Sequence, residues 1–222
     1  MISTLSIFED RKEELEIYFS IMKDVDSEQP TIHTINNPRF FRILKSNYLL
    51  MLYNLVEACT VSGIMEIYES LKSDNCSYKD VIDEIKNIWV SYQVGKVYSA
   101  TTSQNTYEKR VREIISSITE NTPIILDRDA FKISGNLDSR RIRSLCDKHR
   151  IRYVASDDSA ALKMVRDKRN SLSHGDVSFS DCARDLTLND LDDIKNAVVI
   201  FMQGILSGMS DYYENKGYRN PA

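Results

Sequence analysis

Apolar side chains recur along this chain at intervals of three and four, the spacing of one face of an α-helix. Leu5, Phe8, Leu15, Phe19 and Met22 share one side of a helix expected from about Ile7 to Lys23, and Ser6 and Glu9 are spaced as a capping box at its start. Asn37 and Pro38 supply a cap and a first-turn proline for a long helix through about Leu71, with Gly63 as the point where it would bend or break. Ser77 to Asp80 reads as a further capped start leading through Val81, Ile85, Ile88, Trp89 and Val94. A polar Ser/Thr stretch near Ser99 to Thr106 separates it from a helix over Tyr107 to Thr119.

Between Asn121 and Ser134 the periodicity lapses. Pro123 to Leu126 and Phe131 to Ile133 flank Asp127-Arg-Asp129, which reads as two short extended pieces or as an irregular connector. Helical spacing returns from about Asp138 to His149 and from Asp158 to His174, the latter with Ala161, Leu162, Val165 and Leu172 on one face. Gly175 stands where a helix ends in the left-handed conformation. Thr187 to Asp190 reads as a capping box for a last helix from Leu188 to about Tyr213, nearly all apolar at its centre. With no internal repeat and no boundary signal, the expectation is one all-α domain over residues 1–222 with a small irregular or short-strand insertion near 121–134.

Composition agrees with an ordered, helix-rich chain: 222 residues, 42% hydrophobic, only seven glycines and four prolines. Cys59, Cys76, Cys146 and Cys182 form no CxxC pair and have no histidine at ligand spacing, so neither a zinc site nor a disulfide framework is expected, and no cofactor is implied. Charged residues from Glu9 to Glu14 occupy the place of a signal peptide's apolar core, and the run Ala197 to Met209 is too short to span a bilayer, so a cytoplasmic protein without a membrane partner is expected.

The net charge of −4 conceals an uneven distribution. From Ser139 to Asn170 ten Lys or Arg stand against four Asp, so this segment is +6 and the remainder −10. A basic third beside an acidic remainder suits a phosphate-backbone footprint, and a solvated helix face that happens to be basic is the simpler alternative. What joins it to chemistry is Arg169-Asn170-Ser171-Leu172-Ser173-His174. On a helix Arg166, Asn170 and His174 fall in one row, Arg169 lies beside that row, and Ser173 is its i+4 neighbour. A guanidinium offers a fork of donors matched to phosphate, and an imidazole exchanges protons near neutral pH. Asn170 is placed to hydrogen-bond His174 and fix its tautomer. The alternative is a pair of helix-end cations that only complement the helix dipole.

The run Arg169-Asn170-x-x-x-His174 resembles the Rx4-6H signature of the HEPN superfamily, in which the arginine is followed by a polar residue. Two other stretches resemble the longer bacterial subfamily called MAE-like: Lys45-Ser-Asn47-Tyr-Leu-Leu-Met-Leu-Tyr53-Asn54-Leu-Val-Glu57 and Gly135-Asn136-Leu137-Asp138-Ser-Arg140-Arg-Ile142-Arg143. The resemblance implies an all-helical bundle that dimerises so that two Arg/His pairs face a shared cleft. It also implies a metal-independent endoribonuclease of toxin-antitoxin or anti-phage defence type, with an antitoxin or defence-system protein as a further partner. By this likeness Arg169 and His174 are the catalytic positions and Asn170 the supporting one. The antitoxin-paired branch carries a tyrosine two places after the histidine, whereas this chain has Asp176, which puts control through that tyrosine in doubt.

The chemistry of such a pair is transesterification: the 2′-hydroxyl of RNA attacks the adjacent phosphorus, a route closed to DNA. His174 serves proton transfer and Arg169 the charge that builds on the phosphoryl oxygens. A dimeric site brings a second imidazole within reach of the other proton transfer. Asn54 and Glu57, polar and three residues apart in an apolar segment, need partners, and they either orient the motif helix or meet a structural arginine or solvent. His33 and His149 belong to no constellation and are expected at the surface, and the twelve tyrosines and Trp89 fall at core spacing. Two functions therefore stand: the ribonuclease, and a catalytically silent HEPN dimer that binds RNA, nucleotide or protein as an adaptor. A phosphate-loop enzyme is disfavoured because no glycine-rich loop carrying a lysine is present.

Overall fold

The computed structural model describes residues 1–26, 38–96, 104–131, 133, 135–154 and 159–221. Its elements are α1 (Ile2–Asp26), α2 (Pro38–Ser73), α3 (Asp83–Gly95), α4 (Gln104–Thr119), a 3-10 turn (Arg128–Ala130), α5 (Ser139–Lys148), α6 (Ser159–His174), the single turn α7 (Phe179–Cys182) and α8 (Leu188–Glu214). The architecture is the all-α bundle expected. Helix α2 is its axis, with α1, α6, α7 and α8 packed around it. Leu49, Leu52, Leu55, Cys59, Ile64, Ile67 and Leu71 of α2 meet Val198, Phe201, Met202, Ile205 and Met209 of α8 in one buried core.

Helix α1 starts at Ile2, earlier than the apolar spacing indicates, and Ser6 and Glu9 lie inside it. Its first turn is capped from a distance. The Glu66 carboxylate of α2 accepts from the Ser3 and Thr4 amides at 3.0 and 3.4 Å and from the Thr4 hydroxyl at 2.9 Å, and the chain's ammonium group lies 3.8 Å away. An anion beside free helical N–H groups satisfies donors that no sequence-local cap reaches.

Gly63 does not interrupt α2, which is continuous to Ser73. A Cβ there would come within 2.6 Å of the Met209 sulfur, so the glycine is the gap through which α8 approaches. By length and hydropathy α2 would suffice to cross a membrane, unlike the shorter run in α8, but more than half of that window is buried in the bundle, the ordinary state of a core helix.

Ser77 to Asp80 forms a turn instead of a helix start: Asp80 accepts from the Ser77 amide and hydroxyl at 2.8 and 2.6 Å, and α3 begins only at Asp83. The chain's end explains why. The Ile82 amide donates to the Tyr218 carbonyl at 3.0 Å and the Asn220 amide to the Asp80 carbonyl at 2.9 Å, which holds residues 80–82 against the segment after α8 around a Val81–Arg219 bridge. Asp74 clasps the same segment through Lys216, Tyr218 and Arg219, an arrangement that lowers its pKa to about 2, chiefly through Lys216.

The 121–134 region contains no strand among the described residues. It makes an isolated bridge from Pro123 to Ser77, buries Ile124 and Leu126, and closes on the 3-10 turn capped by Asp127. Further on, the Thr187 capping box of α8 is present in both directions. His33 and Asp158 lie outside the described residues.

Candidate active site

Helix α6 ends as its sequence indicates. Gly175 has φ +77°, its amide donates to the Leu172 carbonyl at 3.3 Å, and Asp176 donates to Ser171 at 2.9 Å, the paired bonds of a left-handed helix stop. Arg169 and His174 are thereby held within the last two turns. Five residues at about 100° each set their Cα directions about 140° apart around the axis.

Arg169 turns inward to the rim of the bundle. Its guanidinium lies 4.1 Å from the centre of the Tyr53 ring, donates to Glu57 Oε2 at 3.3 Å and donates to Asn170 Oδ1 at 2.9 Å. Gly135 passes across its open side with φ +49°, and a Cβ there would stand 2.9 Å from Nη2. The arginine is thus gripped by a ring face, a carboxylate, an amide and a bare backbone, with its side chain still 21% exposed. Glu57 also reaches the exposed Arg128 at 3.8 Å, so one carboxylate serves two guanidinium groups.

The three stretches singled out in the sequence meet here. The Leu137 amide donates to the Tyr53 hydroxyl at 3.2 Å, Asn170 donates to Asn136 at 2.5 Å, and Arg166 is hydrogen-bonded to Asp138, the N-cap of α5. Arg166 also donates to Asp167 at 2.9 and 2.6 Å, the leading cause of its raised pKa. Tyr53, Gly135, Asn136, Asp138 and Arg128 were not identifiable as members of the site from spacing, because they are distant in sequence from α6 and converge only when α2 and the loop before α5 pack on it.

Other expectations need correction. Asn170 does not reach His174: its amide is engaged by Arg169 and Asn136. Arg169 makes no bond to Ser173, because Glu57, Tyr53 and Asn170 hold its guanidinium, and Ser173 is exposed. Asn54 is exposed and makes no hydrogen bond among the described residues, one step around α2 from the positions that reach Arg169. Glu57 does orient toward the motif helix, through Arg169. His174 is exposed at the end of α6, and no described residue hydrogen-bonds it.

His149 is not a surface residue. It is 1% exposed, accepts at Nε2 from the Tyr68 hydroxyl at 2.8 Å, and donates from Nδ1 to the Leu145 carbonyl at 2.7 Å. Burial, together with nearby Lys148 and against the Leu145 bond, pushes its pKa down to about 4, so it is a neutral structural imidazole. The basic segment is likewise divided: Lys168 is spent on the Cys182 carbonyl at 2.6 Å and Arg143 packs over Phe201, while Arg140, Arg141 and Lys148 are exposed on α5. Lys45, from the first resembling stretch, is structural: it donates to the Arg184 and Leu186 carbonyls and fixes the segment between α7 and α8.

Asn136 also lines a cleft of about 670 Å³ between α3, the 3-10 turn and α5, where Tyr92, Phe131, Leu145 and His149 form the inner surface. Among the described residues, no three His, Cys, Asp or Glu side chains gather as metal ligands would. All four cysteines are buried free thiols, and burial raises the pKa of Cys59 and of Cys146 to about 12.

No curated protein and no solved structure matches the chain. Residues 3–218, from the first turn of α1 to the segment after α8, match the MAE_28990-like HEPN family, a branch of a superfamily of ribonucleases and nucleotide-binding adaptors. That span includes Arg169, His174 and every side chain gathered around them, and the chain is a member of the MAE_28990-like HEPN family.

Proposed function

We propose that this protein is a metal-independent endoribonuclease of toxin or anti-phage defence type, acting in the cytoplasm, whose site is composed of Arg169 from one copy and His174 from another. The observation that carries this reading is the contrast within the motif. Arg169 is preorganised by Tyr53, Glu57 and Gly135 with part of its fork open, while His174 is left free at an exposed helix end. With their Cα directions about 140° apart on one helix, a single chain is poorly arranged to bring both to one phosphate, and a second copy related by a two-fold axis supplies the missing half.

In the reaction the 2′-oxygen of RNA bonds to phosphorus as His174 takes its proton. The bond from phosphorus to the 5′-oxygen breaks, that oxygen gains a proton from the solvent to which the site is open, and a 2′,3′-cyclic phosphate and a 5′-hydroxyl remain. Arg169 balances the charge that accumulates on the non-bridging oxygens, in the place where Glu57 balances the guanidinium before substrate arrives. No side chain other than these two is required to touch the reacting atoms.

The pairing of Arg169 with Glu57 also favours a second reading, a silent HEPN adaptor in which that ion pair is purely structural. Incubation of the purified protein with total RNA in EDTA separates the two. The ribonuclease is expected to leave cyclic-phosphate ends, and Arg169→Ala and His174→Ala are each expected to slow it by roughly two to four powers of ten. Cleavage unaffected by either substitution, or none by the wild type, overturns the proposal.

A further inference from the structure

A recess of about 670 Å³ between α3 and α5 is not used by the Arg/His pair. Ile88, Ser91 and Tyr92 of α3 form one wall of the cleft, Arg141, Ser144 and Lys148 of α5 the opposite wall, and Phe131 and Leu145 its apolar interior. Its size is in the range of small-ligand sites. The rim is cationic: Lys96, Arg141 and Lys148 are exposed and form no ion pair among the described residues, and Asp129 is the sole acid of the lining. Lys96 lies 3.9 Å over the Tyr92 ring. Within it the Ser91 and Ser144 hydroxyls are exposed and unbonded among the described residues, available to the polar edge of a ligand.

The cleft also communicates with the motif. Asn136 lines it and accepts the hydrogen bond of Asn170, whose own oxygen accepts from Arg169, and Gly135 beside it touches the guanidinium. A ligand seated between α3 and α5 therefore ends one residue from the group proposed to hold the scissile phosphate.

We infer that the cleft between α3 and α5 is a nucleobase subsite for single-stranded RNA, taking one unstacked base next to the scissile phosphate while Arg141, Lys148 and Lys96 hold the phosphates that flank it. The inference rests on the RNA-cleaving reading and adds where the substrate lies. Single-stranded RNA is recognised by splaying out bases onto aromatic and apolar surface, with hydrogen bonds to their edges, and by cations along the backbone. The apolar interior, the serine hydroxyls and the basic rim supply these three components. Two of the four cations of α5, Arg141 and Lys148, line the cleft, while Ile142 and Cys146 of the same helix are buried in the core.

Binding of fluorescein-labelled homopolymeric RNA oligonucleotides, followed by anisotropy in the His174→Ala background so that nothing is cut, tests this directly. Ser91→Trp fills the recess from an exposed position, and it is expected to weaken binding at least about tenfold and to level the differences between the four homopolymers. Arg141→Glu with Lys148→Glu, both at exposed positions, is expected to weaken all four alike and to reduce the salt dependence. Unchanged binding in both variants, or no binding by the parent protein, overturns the subsite, and should Ser91→Trp fail to fold, the charge-reversal pair decides alone. If the cleft variants lose RNA but the wild type never cleaves it, the subsite stands and the ribonuclease reading falls.

Discussion

Arg169 shows how much of this site is decided by single side chains. A guanidinium that faces a ring, a carboxylate and an amide is fixed in aim before any substrate arrives, and that preorganisation is what makes a charge effective against a transition state. Gly135 permits it twice over, through its positive φ and through the missing Cβ. Gly135→Ala is therefore expected to cost about 1–2 kcal/mol of backbone strain and to displace Nη2, lowering RNA cleavage at least about tenfold while circular dichroism stays helical. His149 sets a different dependence. Its folded pKa lies near 4, below the usual value near 6.5, so the stability it confers is complete above about pH 6.5 and is lost as pH falls from there toward 4. Urea midpoints measured from pH 7 to 4.5 are expected to fall by the equivalent of up to about 3 kcal/mol, and His149→Gln is expected to flatten that slope.

Helices were legible where their own residues end them, and illegible where another element does. Thr187 and Asp190 cap α8 reciprocally and Gly175 stops α6, so both boundaries follow from local chemistry. The start of α1 does not, since its cap is Glu66 from the middle of α2, and Ser77 to Asp80 took the form of a turn because the segment after α8 pairs with it. The same division holds in the site. Glu57 was identifiable as a polar residue in need of a partner, whereas its partner, like the pairing of Asn170 with Asn136, depends on how α2 and the loop before α5 pack against α6. Asn54 carried the same signal and is merely exposed, and His149 carried none and is buried, because periodicity reports which face is apolar and not which polar groups a core will accept. Glu66→Ala tests the remote cap: it is expected to destabilise the protein by about 1–2 kcal/mol, seen as a lower urea midpoint with unchanged slope.

For the molecule as a whole, α2 is the shared reference. It supplies the core that seats α8, the cap of α1, and the Tyr53 and Glu57 that aim Arg169, so the bundle and the site are positioned by one helix. Phe201→Ala, which opens a cavity where α8 meets that helix, is expected to cost about 3–5 kcal/mol in chemical denaturation. Its consequence for function is concentrated in the proposed pairing of two copies, because α6 directs Arg169 and His174 to different sides. Mixing the inactive Arg169→Ala and His174→Ala proteins, with exchange of subunits, measures that pairing most directly. Hybrid dimers then hold one intact pair, and RNA cleavage is expected to recover to about a quarter of the wild-type rate for random exchange. A mixture no more active than its separate components, in a sample shown to contain hybrids, would contradict a site shared between chains.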